Sequence, residues 1–355
     1  MTLSEIVRQR LINQQISASR FKNATDLVAW LGAVQAQEYH QAIWGLGLRL
    51  PHVKEHQVKN DIEEARIIRT HLLRPTWHFV AAEDLRWMLM LTAPRIKMAA
   101  SYMHRKLELE KKLFNRCNNI LAKSLQGHAQ LTRNEIKEEF GKKKIVIDST
   151  RLGHIMMQAE LDGIVCSGAR KGNQFTYALL EERVPPFAKK TKEEALAELT
   201  RRYFMSRGPA TLKDYSTWSR LTMADCKNGL AMIRNQFSQQ KSGPDTYYFH
   251  SLKTVDKKQF HAIHLLPIYD EFLMGYKDRN AIMEFRNKLK PGQALRLDNT
   301  IIYEGQIIGY WKRIINAKSI DMEYEFLKPL NKKQDFLFRK ALERYSEFSG
   351  LPVKI

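Results

Sequence analysis

Residues 132–180 read TRNEIKEEFGKKKIVIDSTRLGHIMMQAELDGIVCSGARKGNQFTYALL, and the order of signals in this stretch decides the fold class. Thr132 with Glu135 three residues on is a capping box, in which each side chain satisfies a backbone N–H that a helix start leaves unpaired. That helix stops at Phe140-Gly141. Ser149 opens a second helix, whose Leu152, Ile155, Met156 and Ala159 line one apolar side at helical spacing. Gly163–Ser167 then reads as a strand, Gly168–Asn173 as a turn, and Gln174–Leu180 as a returning strand. Helix, helix, β-hairpin is the winged helix-turn-helix order, here with a basic, glycine-flanked wing tip.

A similar order follows. Pro185-Pro186 marks a linker, a helix spans 192–206, and Arg207-Gly208-Pro209 is a sharp break. Thr211 and Thr222 cap two further helices, and strands near 246–251 form a second hairpin. The stretch 260–325 changes character: it is rich in Ile, Tyr, Leu and Gly with turn signals, as in Arg296–Arg313, and reads as a compact β-unit. A helix over 331–348 closes the chain. On the N-terminal side, 3–19 reads as a helix. Residues 25–40 read as another, with Thr25 or Asp26 as N-cap and Leu27, Trp30, Leu31 and Val34 on one face. The segment 61–82 combines a short helix with the strand-like Thr76–Val80. Asp84 caps a helical region through Pro94, and a second helix runs over 95–125. The expected fold class is α+β, mainly α: tandem winged helix-turn-helix modules followed by a C-terminal β-barrel-like unit. The expected domains are 1–125, 126–184, 185–255 and 256–355.

Charge points to the partner. Among 355 residues, 58 Lys and Arg face 38 Asp and Glu, a formal net charge of +20. Such an excess attracts polyanions through Coulomb forces and counterion release, the electrostatic footprint of a nucleic-acid binder. There is no apolar run long enough for a membrane span. The N-terminal stretch MTLSEIVRQRLINQQ carries charges throughout and has no apolar signal-peptide core. Cys117, Cys166 and Cys226 stand far apart in no metal-binding spacing, as in a reduced cytoplasmic protein, so the expected location is cytoplasmic and nucleoid-associated with no metal. With no phosphate loop, HExxH or GxSxG, no cofactor is implied.

Several residue groups are candidates for chemistry. Gln35-Ala36-Gln37 ends the expected helix 25–40. On a regular helix positions 35 and 37 point about 200° apart, so both face one cavity only if the helix ends or distorts there. A glutamine amide holds a water in place but does not deprotonate it well, which suits a reaction whose leaving group is already activated. Two solvated or capping glutamines fit the same pattern. Arg74, Thr76 and His78 alternate along an apparent strand and share a face, as DNA contacts or as the polar side of a half-buried strand. Asp270-Glu271, at a strand end, fits either a general base or a turn cap and salt-bridge partner. Arg170 and Lys171 on the wing tip are phosphate candidates. Arg151, His154 and Gln158 share one face of the expected recognition helix. Arg279, at a turn, and Arg313, on the basic rim of an otherwise core-like Tyr310–Arg313, complete the DNA-contact candidates.

Larger patterns resemble a family. Leu31–Tyr39 and Ala42–Arg49, Arg69-Thr70, Arg74–His78, Ala82–Trp87, Arg207–Asp214, Trp218-Ser219, Leu266–Glu271, Gly275–Arg279 and Gly305–Arg313 together, in this order, resemble the winged-helix DNA glycosylases of the AlkZ/YcaQ type. The resemblance spans nearly the whole chain. It implies three winged-helix modules and a C-terminal β-barrel around a concave DNA-binding face. It also implies a monofunctional glycosylase acting on alkylated purines in double-stranded DNA, including some interstrand crosslinks. The family motif is Gln, an aliphatic residue, then Gln or Asp. Gln35-Ala36-Gln37 is the two-glutamine, AlkZ-like form with a small middle residue, which implies a catalytic role for Gln35 and Gln37. The family's usual Arg-Gly-Thr-Leu-His reads Arg74-Pro75-Thr76-Trp77-His78, and proline cannot take the positive φ that glycine allows, so a different local backbone is expected. A non-catalytic winged-helix regulator is the competing class, since the same modules serve it equally.

Overall fold

Helix caps set the frame of the N-terminal part. The computed structural model describes residues 1–252, 260–283 and 298–355. Thr2 and Glu5 form a capping box that starts α1 (Leu3–Asn13), which stops well short of the expected residue 19. Asn23, not Thr25 or Asp26, caps α2 (Ala24–Leu31) by accepting from the Asp26 N–H. Gly32 ends α2 with a φ of 75°, a conformation that costs glycine little because it has no Cβ. The chain then extends as β1 (Val34–Gln35) and re-enters a helix at α3 (Tyr39–Leu48). The single helix expected over 25–40 is therefore two helices around a strand, and Gln35 lies in that strand.

Helix α4 (Glu55–Glu63) and strands β2 (Ile67–His71) and β3 (Trp77–Ala81) complete a unit whose sheet order is β1-β3-β2. Next, α5 (Ala82–Lys106) carries Pro94 in its interior, and α6 spans Lys111–Ser124. The break between them falls at residues 107–110 rather than at Pro94, because Leu85, Met88, Leu89, Leu91 and Ile96 pack into one core and hold α5 helical through the proline. Asp84 lies inside this helix, not at its cap.

A second unit repeats the order: α6, β4 (Leu131–Thr132), α7 (Arg133–Lys142), α8 (Ser149–Leu161), β5 (Val165–Ser167) and β6 (Thr176–Leu179), with sheet order β4-β6-β5. The Thr132–Glu135 capping box is present. The cap of α8 is Asp148, one residue before the expected Ser149, and its carboxylate accepts from the N–H groups of Thr150 and Arg151. After the short α9 (Leu180–Arg183), a third unit runs through α10 (Lys192–Arg207), α11 (Leu212–Ser219), α12 (Met223–Met232) and the hairpin β7 (Ser238–Ser242)–β8 (Asp245–Phe249). Its first strand is reduced to one bridge, Ala210 to Tyr248. The second unit keeps its own core around Phe114, Phe140, Ile155 and Val165, whereas α5 and β2 share a core with α10 and α11.

Strands β9 (Ile263–Leu266), β10 (Thr300–Tyr303), β11 (Gln306–Ile315), β12 (Ile320–Phe326) and β13 (Val353–Lys354) form one curled sheet in the order β13-β12-β11-β10-β9. The two ends do not pair, so the expected barrel-like unit is a half-barrel. The expected turn region beginning at Arg296 lies partly outside the described residues. The C-terminal helix Lys332–Ser349 covers this sheet and packs Tyr345 and Phe348 on Trp44 of α3. Gly47 makes that approach possible: a Cβ there would lie 2.2 Å from the Phe348 ring. About half of the described chain is helical, and none of its helices is long and apolar enough to cross a membrane.

Candidate active site

The Gln35-Ala36-Gln37 segment runs along β3. Gln35 pairs with His78 in antiparallel register, and the Ala36 N–H donates to the Trp77 carbonyl at 2.8 Å. The strand ends at Gln35, and Gln37 follows in a bend before α3, so neither glutamine is on a helix. Ala36 is fully buried, while Gln35 is 7% exposed and Gln37 is partly exposed. A small middle residue fits because Ala36 sits in the core formed with Val34, Tyr39 and Phe79.

The two glutamines are held differently. The Gln35 side-chain carbonyl accepts from Arg74 Nη2 at 2.8 Å. Arg74 Nη2 also faces His78 Nε2 at 3.4 Å, and His78 Nδ1 lies 2.9 Å from the Thr76 carbonyl. A carbonyl only accepts, so Nδ1 carries the proton and Nε2 is the acceptor turned to Arg74. Burial, and then the Arg74 charge, push the His78 pKa down to about 3, so the ring is neutral. The Gln37 side-chain amide makes no hydrogen bond among the described residues. Its backbone is fixed instead: Arg69 donates Nε to the Ala36 carbonyl at 3.0 Å and Nη2 to the Gln37 carbonyl at 3.4 Å. The Arg69 guanidinium lies 4.5 Å from the ring centroids of both Trp77 and Phe175. Burial lowers its pKa to about 10, which leaves it charged at neutral pH.

Behind the strand lies a buried charged network. Glu271 Oε1 accepts the Gln35 backbone N–H at 2.9 Å, and its Oε2 accepts from Arg207 Nη2 at 2.5 Å and Trp218 Nε1 at 2.9 Å. Arg207 is fully buried and also donates to the carbonyls of Leu31 and Ala33 at 2.7 and 3.0 Å, serving the orphan acceptors where α2 ends. Burial works against the Glu271 charge, but Arg207, Arg74 and the hydrogen bonds overcome it and lower its pKa. Asp270 holds Arg49 with both oxygens at 2.7 and 2.8 Å and caps the short helical turn Glu271–Met274. Both carboxylates are buried and fully engaged, Glu271 at 1% exposure and Asp270 at 4%. Of the two sequence readings, the structure supports cap and salt-bridge partner.

Of the remaining candidates, Arg279 acts by its charge on Arg74, and Arg170 and Arg313 on His40. Arg74 and His78 sit at the site, but His78 has no exposed surface and serves as an internal acceptor, not a DNA contact. Thr76 follows a tight turn around the exposed Pro75, closed by its N–H on the Arg74 carbonyl at 2.7 Å, and its hydroxyl is buried without a partner. Arg170 donates to the Asn173 carbonyl and lies 5.0 Å from the Tyr39 ring, so the second unit's wing touches the loop after Gln37. Lys171 pairs with Glu135 at 2.6 Å. On α8, His154 packs its ring on His104 of α5, and Gln158 donates to Asp162, which also holds Lys97 of α5 and Asn118 of α6. That expected recognition face lies along a helix seam because α5 extends to Lys106; Arg151 sits at its N-terminal end, half-buried. Arg279 donates to the Leu273 carbonyl at 2.8 Å, and burial lowers its pKa. Arg313 lies 5.4 Å from the Tyr345 ring, its charge acts on His40 three residues after Gln37, and burial lowers its pKa to about 10.

Arg69, Arg207, Trp218 and Phe175 were not legible as site residues. The first three stand in the resemblance patterns, which was their only sequence signal; Phe175 had none.

The comparisons agree with this architecture. The AlkZ-like DNA glycosylase family matches residues 28–348. An interstrand DNA cross-link repair glycosylase of Streptomyces sahachiroi is 21% identical, over 99% of this chain and 98% of that protein. The solved structure of Streptomyces sahachiroi DNA glycosylase AlkZ superposes with a TM-score of 0.79 at 18% identity, covering 100% of this chain and 99% of the other. The family match over most of the chain marks a DNA glycosylase and does not favour a regulator built on the same modules. The chain belongs to the AlkZ-like DNA glycosylase family.

Proposed function

We propose that this protein is a monofunctional glycosylase that hydrolyses the N-glycosidic bond of cationic N7- or N3-alkylated purines in double-stranded DNA. The observation that carries the reading is the unpaired Gln37 amide beside a Gln35 whose carbonyl is fixed by Arg74. The two carboxylates behind the strand, Asp270 and Glu271, are committed to buried arginines, so neither is free as a base, and the reading rests on the oriented amide dipoles of Gln35 and Gln37. Such a site suits a leaving group that already carries positive charge. As the bond from the sugar C1′ to the base breaks, the electron pair goes to the purine and neutralises it. The Gln37 carbonyl accepts a hydrogen bond from a water, aims its oxygen at C1′ and stabilises the cationic sugar; the water's proton leaves to solvent. This is electrostatic preorganisation rather than strong base catalysis.

The three helix–strand–helix–helix–hairpin units read as tandem winged-helix modules, and the net charge of +20 supports duplex binding. The partly exposed Gln37, in the bend between β1 and α3, suits a bulky lesion such as one arm of an interstrand crosslink. The test is single-turnover release of 7-methylguanine and of an N3-alkyladenine from a defined duplex. Release by the wild type is expected. No release of either base, with duplex binding retained, would return the protein to the DNA-binding regulator class.

A further inference from the structure

We propose that Phe175 is a base-stacking residue that takes the face of a neutral nucleobase of the duplex beside the lesion; this rests on the glycosylase reading above. Phe175 sits at the end of the β5–β6 hairpin turn, and the residue is 37% exposed. It is nevertheless held in place. It meets the Tyr39 ring edge-on at 5.2 Å, and the guanidinium groups of Arg69 and Arg170 lie 4.5 and 5.1 Å from its centroid. Arg69 donates to the Gln37 carbonyl, so one guanidinium separates the ring from the catalytic loop, and Tyr39 follows Gln37 by two residues. An aromatic ring fixed by three neighbours, left open to solvent and placed beside the reacting loop is built to receive another flat group.

Charge selects which base. Two guanidinium groups already lie against this ring, and they repel a cationic alkylpurine. A neutral base is not repelled, and Arg170, half-buried rather than buried like Arg69, is placed to meet a flanking phosphate. Phe175 therefore receives the base opposite the lesion or its stacked neighbour.

The experiment uses duplexes with 7-methylguanine and with 2-aminopurine placed either opposite the lesion or next to it. Binding, 2-aminopurine fluorescence and single-turnover release are read for the wild type, Phe175→Leu and Phe175→Tyr. The wild type and Phe175→Tyr are expected to change the fluorescence at one of the two placements. Phe175→Leu should lose that change and bind the lesion duplex roughly tenfold more weakly, with its melting temperature kept. Wild-type fluorescence and affinity in Phe175→Leu, or losses no larger than a fall in melting temperature explains, would overturn the proposal. A Phe175-dependent signal without base release by the wild type would instead overturn the glycosylase reading and leave the stacking role standing.

Discussion

The Glu271 carboxylate accepts the backbone N–H of Gln35 at 2.9 Å, across 236 positions of sequence. The other oxygen of the same carboxylate holds Arg207 and Trp218. One buried acid thus ties the Gln35 strand to the third unit and to the C-terminal part.

Replacing that acid tests the tie. Glu271→Gln leaves Arg207 buried without its counter-charge. Breaking such a pair costs about 3–5 kcal/mol, or roughly 5–10 °C of melting temperature for a chain this long. Base release should also fall at temperatures well below melting, because the Gln35 backbone loses its anchor. A thermal melt run beside single-turnover release checks both; an unchanged melting temperature would remove the tie from the account.

Gln37 and Gln35 should separate. Gln37→Ala removes a partly exposed amide with no hydrogen bond, so stability should stay within about 0.5 kcal/mol. Release of a cationic alkylpurine should fall on the order of a hundredfold. Gln37→Asp should keep part of the activity, since the family motif admits a carboxylate there. Gln35→Ala strips Arg74 of its acceptor in a buried place, so it should slow release and also cost about 1–3 kcal/mol of stability. Unimpaired release by Gln37→Ala would move the chemistry elsewhere.

Acid should destabilise the fold through two histidines. Burial and Arg74 push His78 down to about 3; burial and Arg49 push His264 down to about 4, against an ordinary 6.5. Between those values the unfolded chain binds protons that the folded chain refuses. Stability is therefore full above pH 6.5 and falls as pH drops toward 4, by up to about 1.4 kcal/mol per pH unit for each histidine. His78→Gln should flatten the slope of melting temperature between pH 7 and 5; an identical slope would assign the acid sensitivity to other groups.

The wing should act through phosphates. Lys171 holds the Glu135 carboxyl down to about 2, helped by the Thr132 cap, so an incoming phosphate must compete for that lysine. Arg170→Ala with Lys171→Ala should weaken duplex binding about equally across sequences and lower the salt slope by about 1–2. Glu135→Gln frees Lys171 and should tighten binding at low salt. Binding titrations at two salt concentrations decide, and an unchanged slope in the double variant would make the wing a solvated turn.

Much of the architecture was legible locally. The Thr132–Glu135 box, the basic hairpin of 163–180 and the Arg207-Gly208-Pro209 break are short-range signals: a hydroxyl three residues from a carboxylate, alternating apolar residues, a proline that ends a helix. The family resemblance, carried by the order of scattered motifs, agrees with the family match over 28–348. Errors arose where packing overrode local preference. Helix α5 continues through Pro94 because a line of apolar residues holds it to the core. The cap of α8 is Asp148, whose carboxylate reaches two N–H groups at once.

Sequence by itself determined that glutamines stand at 35 and 37, that the chain is strongly basic, and that its middle forms helix–helix–hairpin units. Only tertiary structure decided that 33–37 leaves the helix, that Gln35 turns its carbonyl to Arg74 and that the Gln37 amide finds no partner among the described residues. The reason is reach. A two-residue strand has too few hydrogen bonds to form alone, so it exists only where β3 supplies its pairing partners and Glu271 its buried acceptor.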